Sequence, residues 1–231
     1  MRIIISGILT DFKGRIFLQQ VSPTSLAPVH RHLTIGTMPA DLLDQAFRQE
    51  TGLIVMPVRM TGLYYDAGVP GGELTFCFRC TMRGGDLVVP DGGRPAGFFD
   101  CPPLPTGLSP KFRQQAESAL HHPGGPPHLE TAAGGISQRL GRLFGRDKST
   151  DEGEQWRVFT RMIDEPAGHG MEFSVASLDE KSTSTPIPAG ESPWAAAQRM
   201  AGTGRSAVEL HQVEIDVDRR MMILGFAPID R

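Results

Sequence analysis

The acidic side chains of Pro39–Leu53, PADLLDQAFRQETGL, are where this chain could do chemistry. Residues three and four apart share one face of a helix, so carboxylates at that spacing supply several oxygen ligands to one divalent cation. The acids of this segment are Asp41, Asp44 and Glu50. Asp44 lies roughly 120° round the helix from Glu50, and Asp41 more than ~10 Å away along the axis, so neither joins it. A single carboxylate with water is a weak site, although substrate phosphates can complete the shell of Mg²⁺.

Two other pairs have ligand spacing. His30 and His32 sit in PVHRHL, where a strand would place both on one face, and an H-x-H pair can bind a metal. No third ligand stands near them, so polar edge or substrate-cleft side chains are the expected role. Cys77 and Cys80 form a C-x-x-C in LTFCFRCTM. On a strand, residues three apart point to opposite faces, so the pair is expected to be buried structural thiols. His121 and His122 close a helix, where a histidine favours the dipole. An odd total of three cysteines argues against a disulfide framework.

The elements that position these residues follow from periodicity. Leu42, Leu43, Ala46 and Phe47 form an apolar stripe from Asp41 to Glu50, with Pro39 opening the helix and Gly52 closing it. Arg2–Leu9 and Arg15–Gln20 read as strands joined by the turn Asp11-Phe12-Lys13-Gly14. Ile54–Tyr65 and Leu74–Thr81 are β-branched and aromatic runs separated by Gly68, Pro70, Gly71 and Gly72. Gly97-Phe98-Phe99-Asp100, Leu104-Pro105 and Leu108-Ser109-Pro110 lead into a helix over Lys111–Leu120.

In that order, and with the closing Q-E-T-G-L, residues 2–122 resemble the Nudix (MutT-like) hydrolase superfamily. The resemblance implies an αβα sandwich with a mixed sheet, and hydrolysis of a nucleoside diphosphate linked to another moiety. It implies Mg²⁺ or Mn²⁺ held by the box helix, which in the family activates water and neutralises the diphosphate. In the family this helix carries acids at the positions that match Ala46, Gln49 and Glu50, all on one face; only Glu50 is acidic here, so it is the one position to which a catalytic or metal-binding role carries over. The departures are specific. The usual R-E pair is Gln45-Ala46, the Gly-rich run before the helix is shortened to TIGTM, and only Asp91 is acidic before the strand at 97–100. The expectation is a hydrolase with weak or absent activity. The alternatives are a non-catalytic nucleotide-binding or regulatory module, and an oligomeric structural or interaction protein.

Beyond His122 the chain changes character. Pro123-Gly124-Gly125-Pro126-Pro127 is a breaker cluster, and 123–155 reads as a polar linker with a short helix at Ile136–Arg146. Residues 156–231 read as a small α+β unit of order strand, strand, helix, strand, strand. Within it Gly190–Gly204 is similar to a shortened box and suggests a decayed partial repeat. The expected fold class is therefore α/β, a sandwich over 1–122 followed by this unit. The net charge of −3 gives no electrostatic footprint for nucleic acid, and no apolar run is long enough to span a membrane. The opening MRIIISGILTDF alternates like a strand rather than an export signal, so a cytoplasmic location is expected. A nucleotide-like small molecule is the expected partner, and a homodimer is compatible with the composition.

Overall fold

The computed structural model describes residues 1–89, 92–131, 155–163, 171–178, 184–202 and 207–229. The apolar runs at the start of the chain become β1 (Arg2–Thr10), β2 (Ile16–Ser22), β3 (Ser25–Ala27) and β4 (Val29–His32). The box segment forms α1 (Pro39–Thr51). Two long strands follow, β5 (Ile54–Asp66) and β6 (Glu73–Gly84), then the short β7 (Ala96–Phe99) and α2 (Pro110–His121). These elements and β8 (His128–Thr131) make an eight-stranded mixed sheet of order β3-β2-β1-β6-β5-β8, with β4 also paired to β1 and β7 to β2. The parallel neighbours are β1 with β6 and β5 with β8.

Residues β9 (Arg157–Met162), β10 (Glu172–Val175), β11 (Thr185–Pro186), α3 (Pro193–Met200), β12 (Val208–Asp216) and β13 (Met221–Pro228) build a second sheet. Its order is β10-β12-β13-β9-β11, also mixed. The α/β class and the second sheet unit therefore agree with the sequence reading. One correction concerns the linker. His128–Thr131 pairs in parallel with Gly62–Tyr65, so the first sheet reaches past residue 122 and takes a strand from the segment read as linker. The expected helix at Ile136–Arg146 lies outside the described residues, as do Asp91 and the last two residues of the 190–204 segment.

Each face of the first sheet is apolar because strand side chains alternate. Ile3, Ile5 and Leu9 of β1 join the cluster that also holds Leu43, Ala46 and Phe47 of α1. Ile8 belongs to the opposite face, with Ile16, Leu18, Cys77 and, on α2, Ala116 and Ala119. The fit of α1 on β1 is close at Gly7, where an added Cβ would lie 2.9 Å from the Phe47 ring and 3.1 Å from Leu43 Cδ2. The helix ends at Gly52, whose φ of 72° is left-handed and whose N–H donates to the Arg48 carbonyl at 3.0 Å. That conformation suits glycine, and an added Cβ would meet the Asp86 carbonyl oxygen at 2.5 Å.

The second sheet shares this core. Trp156, Trp194, Val208, Leu210, Val213 and Leu224 lie in the same apolar cluster as α1 and β1. Phe173 of β10 packs its ring 6.3 Å from Phe76 and 6.2 Å from Phe78 of β6. Trp156 is buried, and its indole Nε1 donates to the Leu33 carbonyl at 3.1 Å. The Gly36 N–H donates to the Val217 carbonyl at 3.1 Å.

Candidate functional site

Glu50 ends α1 on the side that faces the sheet, and the sheet answers with two polar side chains. Gln19 of β2 points to the same face as Phe17, which packs 5.9 Å from Phe47 of α1. Gln19 is buried, and its Nε2 donates to Glu50 Oε2 at 2.7 Å. Arg31 of β4 lies opposite Ile5 in register, and Ile5 belongs to the α1-facing cluster. Its guanidinium forms an ion pair with Glu50 Oε1 and donates to the His30 carbonyl at 2.8 Å. Glu50 Oε2 thus accepts a hydrogen bond, Oε1 has an ion-pair partner but no hydrogen bond of its own, and the side chain is 15% exposed.

The positions that would complete a metal site do not. Ala46 is 3% exposed and part of the core, in line with its place in the apolar stripe: one turn before Glu50 the helix face is already packed on the sheet. Gln49 is exposed and carries no charge. Asp44 pairs with Arg48 at 2.6 Å and accepts the Val55 N–H at 3.2 Å, tying the helix to β5. Asp41 is exposed in the first turn. Among the described residues no three His, Cys, Asp or Glu side chains are grouped to hold a metal ion. The donor set at Glu50 therefore does not fit the Mg²⁺ or Mn²⁺ that the sequence resemblance implies.

His30 and His32 do share a face, as strand alternation requires, but it is the face opposite Glu50. His30 lies opposite Ser6, whose hydroxyl donates to Gln115 of α2 at 3.1 Å. The His30 ring sits 5.2 Å from Phe112 of α2. Burial lowers the His30 pKa, the contact with the Pro28 carbonyl opposes this, and the charges of Arg31, Arg94 and Lys111 lower it further. Cys77 and Cys80 are buried free thiols on opposite faces, Cys77 toward α2 and Cys80 toward α1.

Arg31, Gln19 and Arg94 were missed by motif reasoning, which looked for acids and histidines. The signal for Arg31 lay in the H-x-H pair. A residue between two histidines of a strand faces the other way, here toward α1. Arg94 precedes β7, whose Ala96 is paired with Gln19, and the Pro95 carbonyl accepts the Gln20 N–H at 2.7 Å. Burial lowers the Arg31 pKa, and the neighbouring charge of Arg94 lowers it further.

Two cavities lie away from these residues. One of about 610 Å³ is bounded by Tyr65, Trp156, Phe159 and Pro186–Gly190. The other, about 450 Å³, lies beside Met38–Ala40 and is bounded by Arg59, Phe78, Met171 and Phe173. Glu50, Arg31 and Gln19 line neither. No helix among the described residues is long and apolar enough to cross a membrane.

No family model matches the sequence, and no curated protein matches it. Solved structures are similar over part of the chain. An ADP-ribose pyrophosphatase from Streptococcus suis is 15% identical with a TM-score of 0.46, covering 57% of this chain and 98% of its own. A NUDIX hydrolase from Nitrosomonas europaea is 12% identical at 0.48, covering 57% and 78%. A MutT protein from Bacillus halodurans is 14% identical at 0.47, covering 57% and 88%. At such scores the likeness assigns neither a family nor an activity.

Proposed function

We propose that the chain is a Nudix-like module that has given up metal-dependent pyrophosphohydrolase chemistry and holds a nucleotide-like ligand, at the C-terminal end of α1, without cleaving it. The observation that carries this reading is the state of Glu50, the one acid left on the box face. Arg31 takes one of its oxygens and Gln19 the other. To bind a divalent cation, Glu50 would have to release a guanidinium and an amide, and would then face the metal as a lone protein carboxylate. Oxygen-rich shells for Mg²⁺ need more than that from protein and substrate together.

Within this reading the strands of the first sheet carry the site, and the described strands of the second sheet share its core. The test is a hydrolysis screen over nucleoside diphosphate derivatives with Mg²⁺ and with Mn²⁺, run beside thermal melting with the same compounds. A ligand that binds only the native state stabilises it by about 2.7 kcal/mol at a hundredfold excess over Kd. The expected outcome is a raised melting temperature with at least one compound and turnover with none. Metal-dependent turnover that disappears in Glu50→Gln would overturn the proposal.

A further inference from the structure

The mismatch between the expected cation and the residues present has a constructive side. Where the sequence resemblance calls for a metal, this chain places guanidinium groups. Resting on the reading of a non-hydrolysing site, we propose that Arg31 and Arg94 form a metal-independent anion site for the phosphate or diphosphate group of a ligand.

Three observations support it. First, Arg31 is fixed from both ends. Its backbone is paired to β1 through the Ile5 register, and its guanidinium is held by Glu50 and the His30 carbonyl. Its side chain is still 41% exposed. A planar fork held in place loses little freedom when it binds phosphate. Second, Arg94 stands just before β7, the strand paired to Gln19, whose amide donates to Glu50. The Gln19–Ala96 pairing and the Gln20–Pro95 hydrogen bond anchor the chain two residues and one residue from it. Arg94 is exposed, and no ion pair to it is found among the described residues. Third, the charges do not cancel. Among the described residues, Arg31 and Arg94 set against Glu50 carry an excess of positive charge, and the like charge of Arg94 acts on Arg31. An anion between two cations relieves that repulsion. Lys111 adds nothing here because it is paired to Glu73 at 2.9 Å.

The site therefore makes a demand opposite to that of a metal centre. In a metal centre Glu50 is a ligand, and its charge is required. In an arginine site Glu50 positions Arg31, and its charge competes with the incoming anion. The discriminating variant is Glu50→Gln, which keeps acceptor and shape and removes only the charge.

The probe is inorganic pyrophosphate, titrated calorimetrically into the full chain in EDTA and then with Mg²⁺. Binding is expected in EDTA, weakening as salt is raised, with no gain from Mg²⁺. Arg94→Ala is expected to weaken it about tenfold, the scale of a charge-assisted hydrogen bond. Glu50→Gln is expected to tighten it about fivefold, because a competing charge is gone. Arg31→Ala alone leaves Glu50 without its cation, so Arg31 is tested as Arg31→Ala with Glu50→Gln. That double variant is checked for native melting and is expected to bind at least tenfold more weakly than Glu50→Gln. Arg83→Ala, on an exposed residue whose guanidinium touches Met56 Sδ, is expected to leave binding unchanged. Binding that appears only with Mg²⁺, or that Glu50→Gln abolishes, overturns the proposal. So does the absence of pyrophosphate binding in every condition, an outcome that leaves the non-hydrolysing reading to stand or fall on turnover alone.

Discussion

Restoring the missing carboxylates of the box helix, Ala46→Glu with Gln49→Glu, separates the two views of α1 most sharply. If α1 turned both positions to solvent, the double variant would be soluble and would gain a metal site. The structure gives the two positions different fates. Gln49 is exposed, and a charge there changes stability within about 0.5 kcal/mol. Ala46 is 3% exposed and packed in the cluster with Leu43 and Phe47. A carboxylate forced into that space is set among apolar side chains. Deep burial raises a carboxyl pKa by some three units, which at about 1.36 kcal/mol per unit costs roughly 4 kcal/mol at neutral pH. Overpacking adds about 1–2 kcal/mol. At about 2–4 °C per kcal/mol for a chain of this size, Ala46→Glu should melt roughly 10–20 °C below the parent. The sign of the pH dependence follows. The folded pKa of the new carboxyl is raised, so its electrostatic penalty is absent below the unfolded value of about 4.3 and grows as pH rises through the window above it. The gap between variant and parent should therefore narrow toward the packing cost near pH 4. Melting temperatures of the parent, both single variants and the double variant, from pH 4 to pH 8 with and without Mg²⁺, decide the matter. A double variant that melts with the parent and is stabilised by Mg²⁺ would refute the placement of Ala46.

Three further outcomes test the core and its thiols. Trp156→Phe removes the donor to the Leu33 carbonyl and part of a buried ring. It should cost about 2–4 kcal/mol in urea unfolding, and an unchanged midpoint would mean that the two sheets do not depend on this contact. Burial pushes the Cys77 thiol up to about 12 and raises Cys80 still further, while half-buried Cys101 is raised less. A thiol-specific reagent at pH 8 should label Cys101 in the native protein and all three cysteines after unfolding. Because the buried thiols have raised folded pKa values, their contribution is intact below the unfolded value near 8.5. It is lost as pH rises toward 12, at up to about 1.4 kcal/mol per unit for each thiol. Stability that rises across that range would contradict their burial.

The strong periodicities were legible in the sequence. The stripe Leu42, Leu43, Ala46, Phe47 marked α1, and Pro39 and Gly52 marked its ends, because Pro and Gly act through local backbone geometry. The long strands β1, β2, β5, β6, β12 and β13 carried enough β-branched and aromatic residues to stand out. The short strands did not. His128–Thr131 follows a Pro-Gly cluster and has one large apolar residue, Leu129, so it reads as linker; the parallel pairing with Gly62–Tyr65 makes it a strand. Thr185–Pro186 has two residues and owes its pairing to Phe159 and Thr160 of β9. Such pairing is non-local, and no local pattern reports it.

Ala46 shows why the site was harder to read than the fold. Sequence spacing placed 46, 49 and 50 on one helical face, and that geometry holds. It does not say where the sheet ends beneath the helix. Over the 5.4 Å of one turn the same face passes from packed core at Ala46 to a polar margin at Glu50. What stands at that margin comes from Gln19 and Arg31, which lie 31 and 19 residues before Glu50 in the chain. Neither belongs to a motif, and each looks unremarkable on its own strand. Their effect on Glu50 is nevertheless decisive, because a carboxylate held by a guanidinium and an amide is a different chemical group from one open to a cation. At this margin the surroundings of Glu50 are set by the arginine and the amide that meet it.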